Sequence, residues 1–334
     1  MATATRICLG IDENGLGPRL GPLVVTAVSA RVTEAGRALL GKRPRGGLAD
    51  RLGDSKKLVS FDDSGLGEAW ARALLARSAR SAGSARSAGS AGSAGPGGLD
   101  GSSPEQLVRA LALEDEAVLK ADCPSHHLDQ CWRTDGEELL AAPELVTQLG
   151  KDLDRLATKG IEILGAQVML VCAKRLNGAI DKGLSRFHVD LHTMERLVTS
   201  AAKTHGEPVK ATCGKVGGFD KYGGAFGQFV LHTAIVEGRA RSEYAVPGIG
   251  EVAFVRDAEE KDLLVAMASL VGKWVRDLLM RRIVRFHRDQ VPDLPEASGY
   301  HDPVTTQFIA ATALARKKAK IRDECFIRRA LEAP

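Results

Sequence analysis

The sequence predicts an α/β domain in which helices flank a mixed central β-sheet. Two apolar runs of β type, ICLGI and PLVVTAV, flank the turn-forming segment GLGPRLGP, so residues 7–30 are predicted to form a β-hairpin. Apolar residues recur at helical spacing over 263–283, which predicts an amphipathic helix. Strands that come first and are then mixed with helices favour a mixed sheet with helical cover.

The remaining elements are predicted from shorter apolar patterns. Helical spacing predicts helices over 104–121, 143–157 and 164–180. Compact apolar runs predict strands over 187–191, 229–235 and 252–255. In the first of these runs the predicted strand ends on Asp190, which places one carboxylate at the end of a buried segment.

A low-complexity segment divides the chain. Residues 78–103 consist mostly of Ser, Ala, Gly and Arg, and they bury too little apolar surface to offset their ordering entropy. They predict a flexible linker, followed by a helical insertion over 104–160 that suits a lid, a partner surface or a simple elaboration. The expected catalytic domain combines 1–77 with 161–334, and its C-terminal helical part begins at about residue 285.

Composition excludes few classes of function. The chain has 334 residues, of which 44% are hydrophobic, and a formal net charge of +4, which is compatible with a polyanionic partner but does not identify one. Six scattered cysteines and an N-terminus without an apolar leader predict a cytoplasmic protein with reduced thiols. No apolar run approaches the length of a membrane-spanning helix, so no membrane partner is expected.

Two adjacent carboxylates, Asp12 and Glu13, end a strand that is otherwise apolar. Burying a bare carboxylate is costly, and a divalent cation removes that cost. Mg²⁺ or Mn²⁺ bound by carboxylate oxygens is a common arrangement where a phosphodiester is hydrolysed. In the alternative interpretation the strand simply meets a turn here, and both acids are solvated.

Five motifs occur in a fixed order along the chain: GIDENGLGP, LGDSKKL at 52–58, the isolated Asp190, AEEKDLLVAMASLVGKWVRD at 258–277 and SGYHDPVTTQFI at 298–309. Together they resemble the ribonuclease HII family over residues 7 to about 309, apart from most of 78–160. The resemblance implies a ribonuclease H-like fold and metal-dependent hydrolysis of the RNA strand of RNA–DNA hybrids. It also implies 5′-phosphate and 3′-hydroxyl products and a monomeric protein.

The same resemblance implies which acids hold the metal. The expected catalytic and metal-binding residues, for two Mg²⁺ or Mn²⁺ ions, are Asp12, Glu13, Asp190 and Glu259, with Asp12 bridging both ions. In the implied mechanism one ion activates the attacking water and the other stabilises the leaving 3′-oxygen. Ribonuclease HII has aspartate at the fourth position, whereas ribonuclease HIII has a segment similar to DAEEKDLLVAMAS with glutamate there. Asp257 and Asp262 are flanking alternatives.

Substrate contacts are also implied by the resemblance. Gly15, Leu16 and Gly17 stand where ribonuclease HII has Gly-Arg-Gly, a loop whose backbone lies against the ribose 2′-hydroxyl at the cleavage point. Leu16 cannot reproduce an arginine contact to phosphate. Tyr300 matches a tyrosine that stacks beside the RNA–DNA junction, although it also suits a surface anchor. Lys56 and Lys57 match lysines near the substrate backbone, although they also suit an ordinary exposed surface.

Three functions are compatible with these motifs. The first is cleavage of an RNA–DNA hybrid or of duplex DNA that contains ribonucleotides. The second is binding of hybrids without catalysis, in which Leu16 and Glu259 reflect lost or retuned activity. The third is a ribonuclease H-like nuclease that acts on another nucleic-acid structure. A basic C-terminal run over 315–329 suits phosphate contacts as well as it suits a solvated face.

Overall fold

The computed structural model describes residues 4–87, 101–216 and 219–329. These residues form one seven-stranded sheet, with strands β1 Thr5–Asn14, β2 Leu23–Thr33, β3 Ile161–Val171, β4 Val209–Gly214, β5 Thr233–Val236, β6 Arg241–Val246 and β7 Gly250–Val255. The strand order is β3-β2-β1-β4-β7-β6-β5. The β1–β4 and β4–β7 pairs are parallel, whereas the other neighbours are antiparallel. The predicted mixed sheet is therefore confirmed.

Helices cover both faces of this sheet, which confirms the predicted α/β class. Their bounds are α1 Glu34–Leu40, α2 Ser55–Leu58, α3 Gly65–Ser87, α4 Pro104–Leu111, α5 Glu116–Lys120, α6 Leu128–Trp132, α7 Pro143–Thr158, α8 Ala173–Ile180, α9 Arg186–His205, α10 Leu263–Arg288, α11 Pro303–Ala311 and α12 Ala313–Lys318. None of the described helices combines the length and the apolar composition that crossing a bilayer requires.

Two hydrophobic cores lie on opposite faces of the sheet. On one face α10 packs across β1 and β2 so closely that a Cβ on Gly10 would lie 2.3 Å from the backbone of Leu264. The same core contains buried leucines of α4 and α7, so residues 104–160 take part in the main core. On the other face Leu191 and Val198 of α9 pack against apolar residues of β1 and β2.

The strongest periodic patterns are confirmed. β1 and β2 form the predicted antiparallel hairpin, and α7 and α10 cover the predicted helices at 143–157 and 263–283. Asp262 begins α10 by accepting hydrogen bonds from the backbone N–H groups of Leu264 and Val265. The strand predicted at 252–255 is the end of β7.

The predicted strand over 187–191 is wrong, because these residues belong to α9. Ser185 caps this helix by accepting from the His188 backbone N–H, and the His188 side chain accepts from the Ser185 backbone N–H. Phe187 and Leu191 are buried four residues apart on one helical face. A five-residue apolar run is compatible with the periodicity of a strand or of a helix. Here the capping residues favour the helix.

The predicted helix over 164–180 is also wrong in its first half. Residues 161–171 form β3, and helix α8 begins only at Ala173. β3 is buried on both faces, so its sequence lacks the alternation that identifies a half-exposed strand. The strand predicted over 229–235 begins only at Thr233.

Two other predicted segments differ in detail. The helical segment at 104–121 is interrupted after Leu111, where Ala112 forms a parallel bridge with Val168 of β3. In the predicted linker over 78–103, residues 78–87 continue α3, which ends at Ser87. Residues 88–100 lie outside the described part of the chain.

Candidate active site

The carboxyl ends of three parallel strands meet at one edge of the sheet. Asp12 and Glu13 lie near the end of β1, and Gly214 is the last residue of β4. Glu259 lies just beyond β7, in the short 3-10 helix Ala258–Glu260. Because β4 lies between β1 and β7, this edge places carboxylates on both sides of Gly214. Carboxyl ends of strands are the usual ligand-binding edge of such sheets.

Strand alternation sends the first two carboxylates to different faces. Ile11 packs in the core beneath α9, so Glu13 lies on that face and Asp12 faces α10. On the α10 side, burial raises the pKa of Asp12, and a hydrogen bond from the Ser269 hydroxyl offsets part of that rise. The Ser55 and Ser269 hydroxyl oxygens are 2.9 Å apart, so α2 supports the residue that contacts Asp12.

Asp190 reaches this edge from α9, although sequence reasoning placed it on a strand. Its side chain is fully buried, and neither carboxylate oxygen has a hydrogen-bond partner. Burial, followed by the charge of Asp12, raises its pKa well above the ordinary value. Burial, followed by the charges of Asp190 and Asp12, does the same to the pKa of Glu13. Three of the four predicted acids therefore affect one another directly.

Glu259 is the fourth member of this group. Burial raises the pKa of Asp12 to about 7, and the charge of Glu259 contributes to the rise. The flanking acids have other partners, because Asp262 caps α10 and Asp257 is an exposed residue beside Lys261. We call the four converging side chains the acidic edge: Asp12, Glu13, Asp190 and Glu259.

The donor chemistry of the acidic edge suits a hard divalent cation. Carboxylate oxygens are the ligands that such cations prefer, and the two buried oxygens of Asp190 lack any donor. A Cβ on Gly214 would lie 3.0 Å from Asp12 Oδ1 and 3.3 Å from Glu13 Oε2, so glycine leaves room beside both carboxylates. Across the described ranges, no three His, Cys, Asp or Glu side chains already have the geometry of a metal site.

The two lysines of α2 differ in position. Burial raises the pKa of Asp12 and the charge of Lys56 offsets part of that rise, so this exposed lysine lies on the side of the acidic edge. Lys57 instead pairs with Glu260, at 3.0 Å, and with Asp54, at 3.4 Å. Of the two lysines, Lys56 is therefore the one whose charge acts on Asp12.

The loop after β1 is joined to the Tyr300 segment. Gly15 has φ +86°, and a Cβ there would lie 2.6 Å from Nε of Arg276. The Arg276 guanidinium lies 4.5 Å from the ring centroid of Tyr300 and donates to the Ser298 carbonyl at 2.8 Å. Tyr300 itself is 42% exposed. The loop and this aromatic ring thus form one surface beside the acidic edge.

The other two residues of the loop differ in exposure. Leu16 is half-buried, and its side chain packs against the core beneath α9. Gly17 is exposed, and a Cβ on it would meet no atom within 4 Å, so the loop backbone is open on that side. The leucine thus supplies packing and no positive charge at this position.

Three buried or half-buried guanidinium groups surround this loop: Arg186, Arg276 and Arg328, which we call the arginine cluster. Burial, followed by the charges of Arg186 and Arg276, lowers the pKa of Arg328 to about 9. Sequence reasoning did not find Arg328 as a site residue, and its only signal was its place in the basic run 315–329. Ser269 was missed because a single serine inside an apolar helix carries no distinctive pattern in the sequence.

The solved structures to which this chain is similar include two ribonucleases H. Ribonuclease HII from Archaeoglobus fulgidus, solved in a complex with PCNA, is 14% identical with a TM-score of 0.38, covering 98% of this chain and 96% of its own. A mutant of Bst-RNase HIII is 14% identical, with a TM-score of 0.39. The match covers 98% of this chain and 67% of the Bst-RNase HIII chain.

The chain resembles ribonuclease HII, with a fourth acidic segment like that of ribonuclease HIII. No family model matches the sequence, and no curated protein matches it either. The resemblance at the site is carried by the motifs of the chain itself.

Proposed function

We propose that this chain is a divalent-metal-dependent endonuclease that hydrolyses the RNA strand of RNA–DNA hybrids and leaves 5′-phosphate and 3′-hydroxyl ends. The observation that supports it is the convergence of the acidic edge, where Asp190 is fully buried with neither oxygen satisfied. A buried carboxylate without a donor is costly, so its presence beside three other acids favours a bound cation. We expect the protein to act as a cytoplasmic monomer.

The acidic edge would hold two Mg²⁺ or Mn²⁺ ions through Asp12, Glu13, Asp190 and Glu259. When bound, such ions activate a water nucleophile and neutralise charge on the phosphate and the leaving 3′-oxygen. The chain supplies the geometry: Ser269 orients Asp12 from α10, and α9 excludes water around Asp190. Gly214 keeps the space beside Asp12 and Glu13 free of side-chain atoms.

The substrate would lie across the surface formed by the loop and Tyr300. Gly15, Leu16 and Gly17 would present backbone groups to the ribose 2′-hydroxyl, which distinguishes RNA from DNA. The Tyr300 ring, stacked on Arg276, would pack against the nucleotide beside the cleavage point. Lys56 would contribute positive charge to the backbone phosphates, with Lys57 as a more distant contributor.

Cleavage of two labelled duplexes tests this proposal. One is a continuous RNA–DNA hybrid and the other is duplex DNA with a single ribonucleotide, each assayed with Mg²⁺, Mn²⁺ or EDTA. We expect metal-dependent cutting at ribonucleotides by the wild type and none by Asp12→Asn. An all-DNA duplex serves as the control for the 2′-hydroxyl. Equal cutting of the all-DNA duplex, or undiminished cutting by Asp12→Asn, would refute the proposal.

A further inference from the structure

The carbonyl oxygens of the loop after β1 are held by guanidinium groups from distant parts of the chain. Arg328 donates from Nη1 to the Gly15 carbonyl at 2.6 Å and from Nη2 to the Leu16 carbonyl at 2.8 Å. Nη1 of Arg186 lies 3.2–3.4 Å from the carbonyl oxygens of Leu16, Gly17 and Pro18. Four successive carbonyls therefore point towards positive charge.

This arrangement decides where the loop N–H groups point. In a trans peptide the C=O and the following N–H point in opposite directions, and the chain has no cis peptide in its described part. With the Gly15 and Leu16 carbonyls turned to Arg328, the N–H groups of Leu16 and Gly17 point the other way. No acceptor among the described residues takes either N–H group. These two donors are left for a ligand.

Arg328 lies in a C-terminal segment, residues 319–329, which we call the strap. Contacts with other parts of the chain hold the strap in place. The Arg328 backbone N–H donates to the Arg19 carbonyl at 2.8 Å. Asn177 of α8 donates to the carbonyls of Glu324 and Ile327, both at 2.8 Å, and accepts from the Arg329 backbone N–H at 2.8 Å.

The predicted insertion also contacts the strap. Gln130 of α6 donates to the Cys325 carbonyl at 3.3 Å. The strap is therefore fixed from two sides before it reaches the loop, and the Arg328 side chain ends 3% exposed. An arginine buried to this extent, with both Nη groups on loop carbonyls, is directed at the loop rather than at solvent phosphate.

We propose that Arg328, assisted by Arg186, is a positioning residue that fixes the carbonyl side of the loop so that the Leu16 and Gly17 N–H groups face the substrate ribose. The role rests on the proposed nuclease function. Through Arg328, the strap contributes to substrate recognition. Arg328 also supplies positive charge beside the loop, which the Leu16 side chain does not. Residues 104–160 also have an indirect role, because Gln130 helps to anchor the strap.

The test compares Arg328→Gln with a matched control, Arg322→Gln. Arg322 lies in the same strap, but its exposed guanidinium pairs with Glu324 instead of the loop. Steady-state cleavage of the hybrid gives KM and kcat, and hydrogen–deuterium exchange reports on residues 15–20. In this segment the Arg19 and Leu20 N–H groups donate to the Gly299 carbonyl, so their protection records the order of the loop.

For Arg328→Gln we expect KM to rise roughly tenfold, kcat to change much less, and exchange over 15–20 to accelerate, because charge-assisted hydrogen bonds to the loop are lost. Arg328→Lys, which retains the charge but not the two-pronged contact, should fall between. Arg322→Gln should match the wild type in both measurements.

Unchanged KM and unchanged loop exchange in Arg328→Gln would overturn the inference, and so would faster exchange spread evenly over the whole chain. If the wild type cuts no hybrid, the proposed function fails. The exchange comparison then decides by itself whether Arg328 positions the loop.

Discussion

The acidic edge and the arginine cluster both adjoin the loop after β1, and both bury charged side chains. They differ in whether those side chains have hydrogen-bond partners. In the acidic edge, the Asp190 carboxylate is buried without a single donor. In the arginine cluster, Arg276 and Arg328 are just as buried, yet their Nη groups donate to carbonyl or carboxylate oxygens. Only Nε atoms are left without partners there. The first region is incomplete without an external cation, whereas the second is nearly complete by itself.

This difference indicates that the acidic edge serves ligand binding and catalysis, whereas the arginine cluster fixes the conformation of the loop. A side chain that the fold leaves unsatisfied lowers stability, and it persists where a ligand or a reaction needs it. Side chains whose partners are backbone carbonyls instead fix the path of the chain. Substitutions in the acidic edge should therefore affect activity more than stability, whereas the reverse should hold for tight packing contacts such as that of Gly272.

The largest expected effect comes from Glu259→Gln. Removing one carboxylate from a metal-binding group should lower hybrid cleavage roughly a hundredfold or more, with little change in melting temperature. Asp257→Asn is the matched control, because Asp257 is exposed and has φ +53°, a conformation that asparagine adopts readily. Equal loss of cleavage in both variants would show that the choice of Glu259 is wrong.

Gly214→Ala should produce the next largest effect. The new Cβ would lie 3.0 Å from Asp12 Oδ1, so the carboxylate must move by a few tenths of an ångström. We expect cleavage to fall roughly tenfold to a hundredfold, because small misplacements in an active site are costly. Gly150→Ala in α7, where a Cβ meets nothing within 4 Å, should leave cleavage unchanged. Wild-type rates for Gly214→Ala would mean that the carboxylate position is not critical.

A smaller effect is expected where Asn14 meets α10. A Cβ on Gly272 would lie 2.1 Å from Asn14 Oδ1, so Gly272→Ala should lower the free energy of unfolding by about 1–3 kcal/mol. Combining it with Asn14→Ala should recover part of the loss in a double-mutant cycle followed by chemical denaturation, because the new Cβ would still lie 2.8 Å from Thr26 Oγ1. Additive losses would indicate that the two residues do not share this space.

An effect of similar size, confined to acid pH, concerns His287. Burial, followed by the charge of Arg316, lowers the pKa of His287 from 6.5 to about 4. Between these values the unfolded chain binds the proton and the folded chain does not, so this residue makes stability fall as pH drops from about 6.5 to about 4. Asp12 acts oppositely: its raised pKa makes stability fall as pH rises from about 4 to about 7.

Comparing His287→Gln with the wild type isolates the contribution of His287 to the pH dependence of stability, because the other groups titrate equally in both proteins. Over the acid range, the free energy of unfolding of the variant should fall less than that of the wild type, by roughly 1–3 kcal/mol. The exposed His301→Gln serves as the control and should follow the wild-type curve. Parallel curves for His287→Gln and the wild type would contradict a neutral buried histidine.

The sequence predicted the parts of the fold whose patterns are local. The β1–β2 hairpin and α10 follow from alternation, turn residues and long helical periodicity. β3 was assigned as helix because a strand buried on both faces has no alternation, and its burial depends on α3 and α7 packing over it. The element that carries Asp190 was wrong for a related reason, since a short apolar run does not fix its own period.

The candidate site shows the same division. The motifs identified Asp12, Glu13, Asp190 and Glu259, and their convergence depends on sheet order, which no local pattern contains. Arg328 contacts Gly15 across more than three hundred residues of sequence, so its contact with the loop is visible only after folding. Its place in a basic run suggested phosphate contacts, whereas the structure turns it inward.

The acidic edge should gain stability from a divalent cation that Asp190 helps to bind, and melting curves of the wild type and Asp190→Asn test this most directly. In EDTA the variant should melt roughly 2–5 °C higher, because asparagine removes a buried carboxyl whose raised pKa opposes folding at neutral pH. Added Mn²⁺ should raise the melting temperature of the wild type but not that of the variant. A lower melting temperature for Asp190→Asn in EDTA, with equal responses of both proteins to Mn²⁺, would contradict the account.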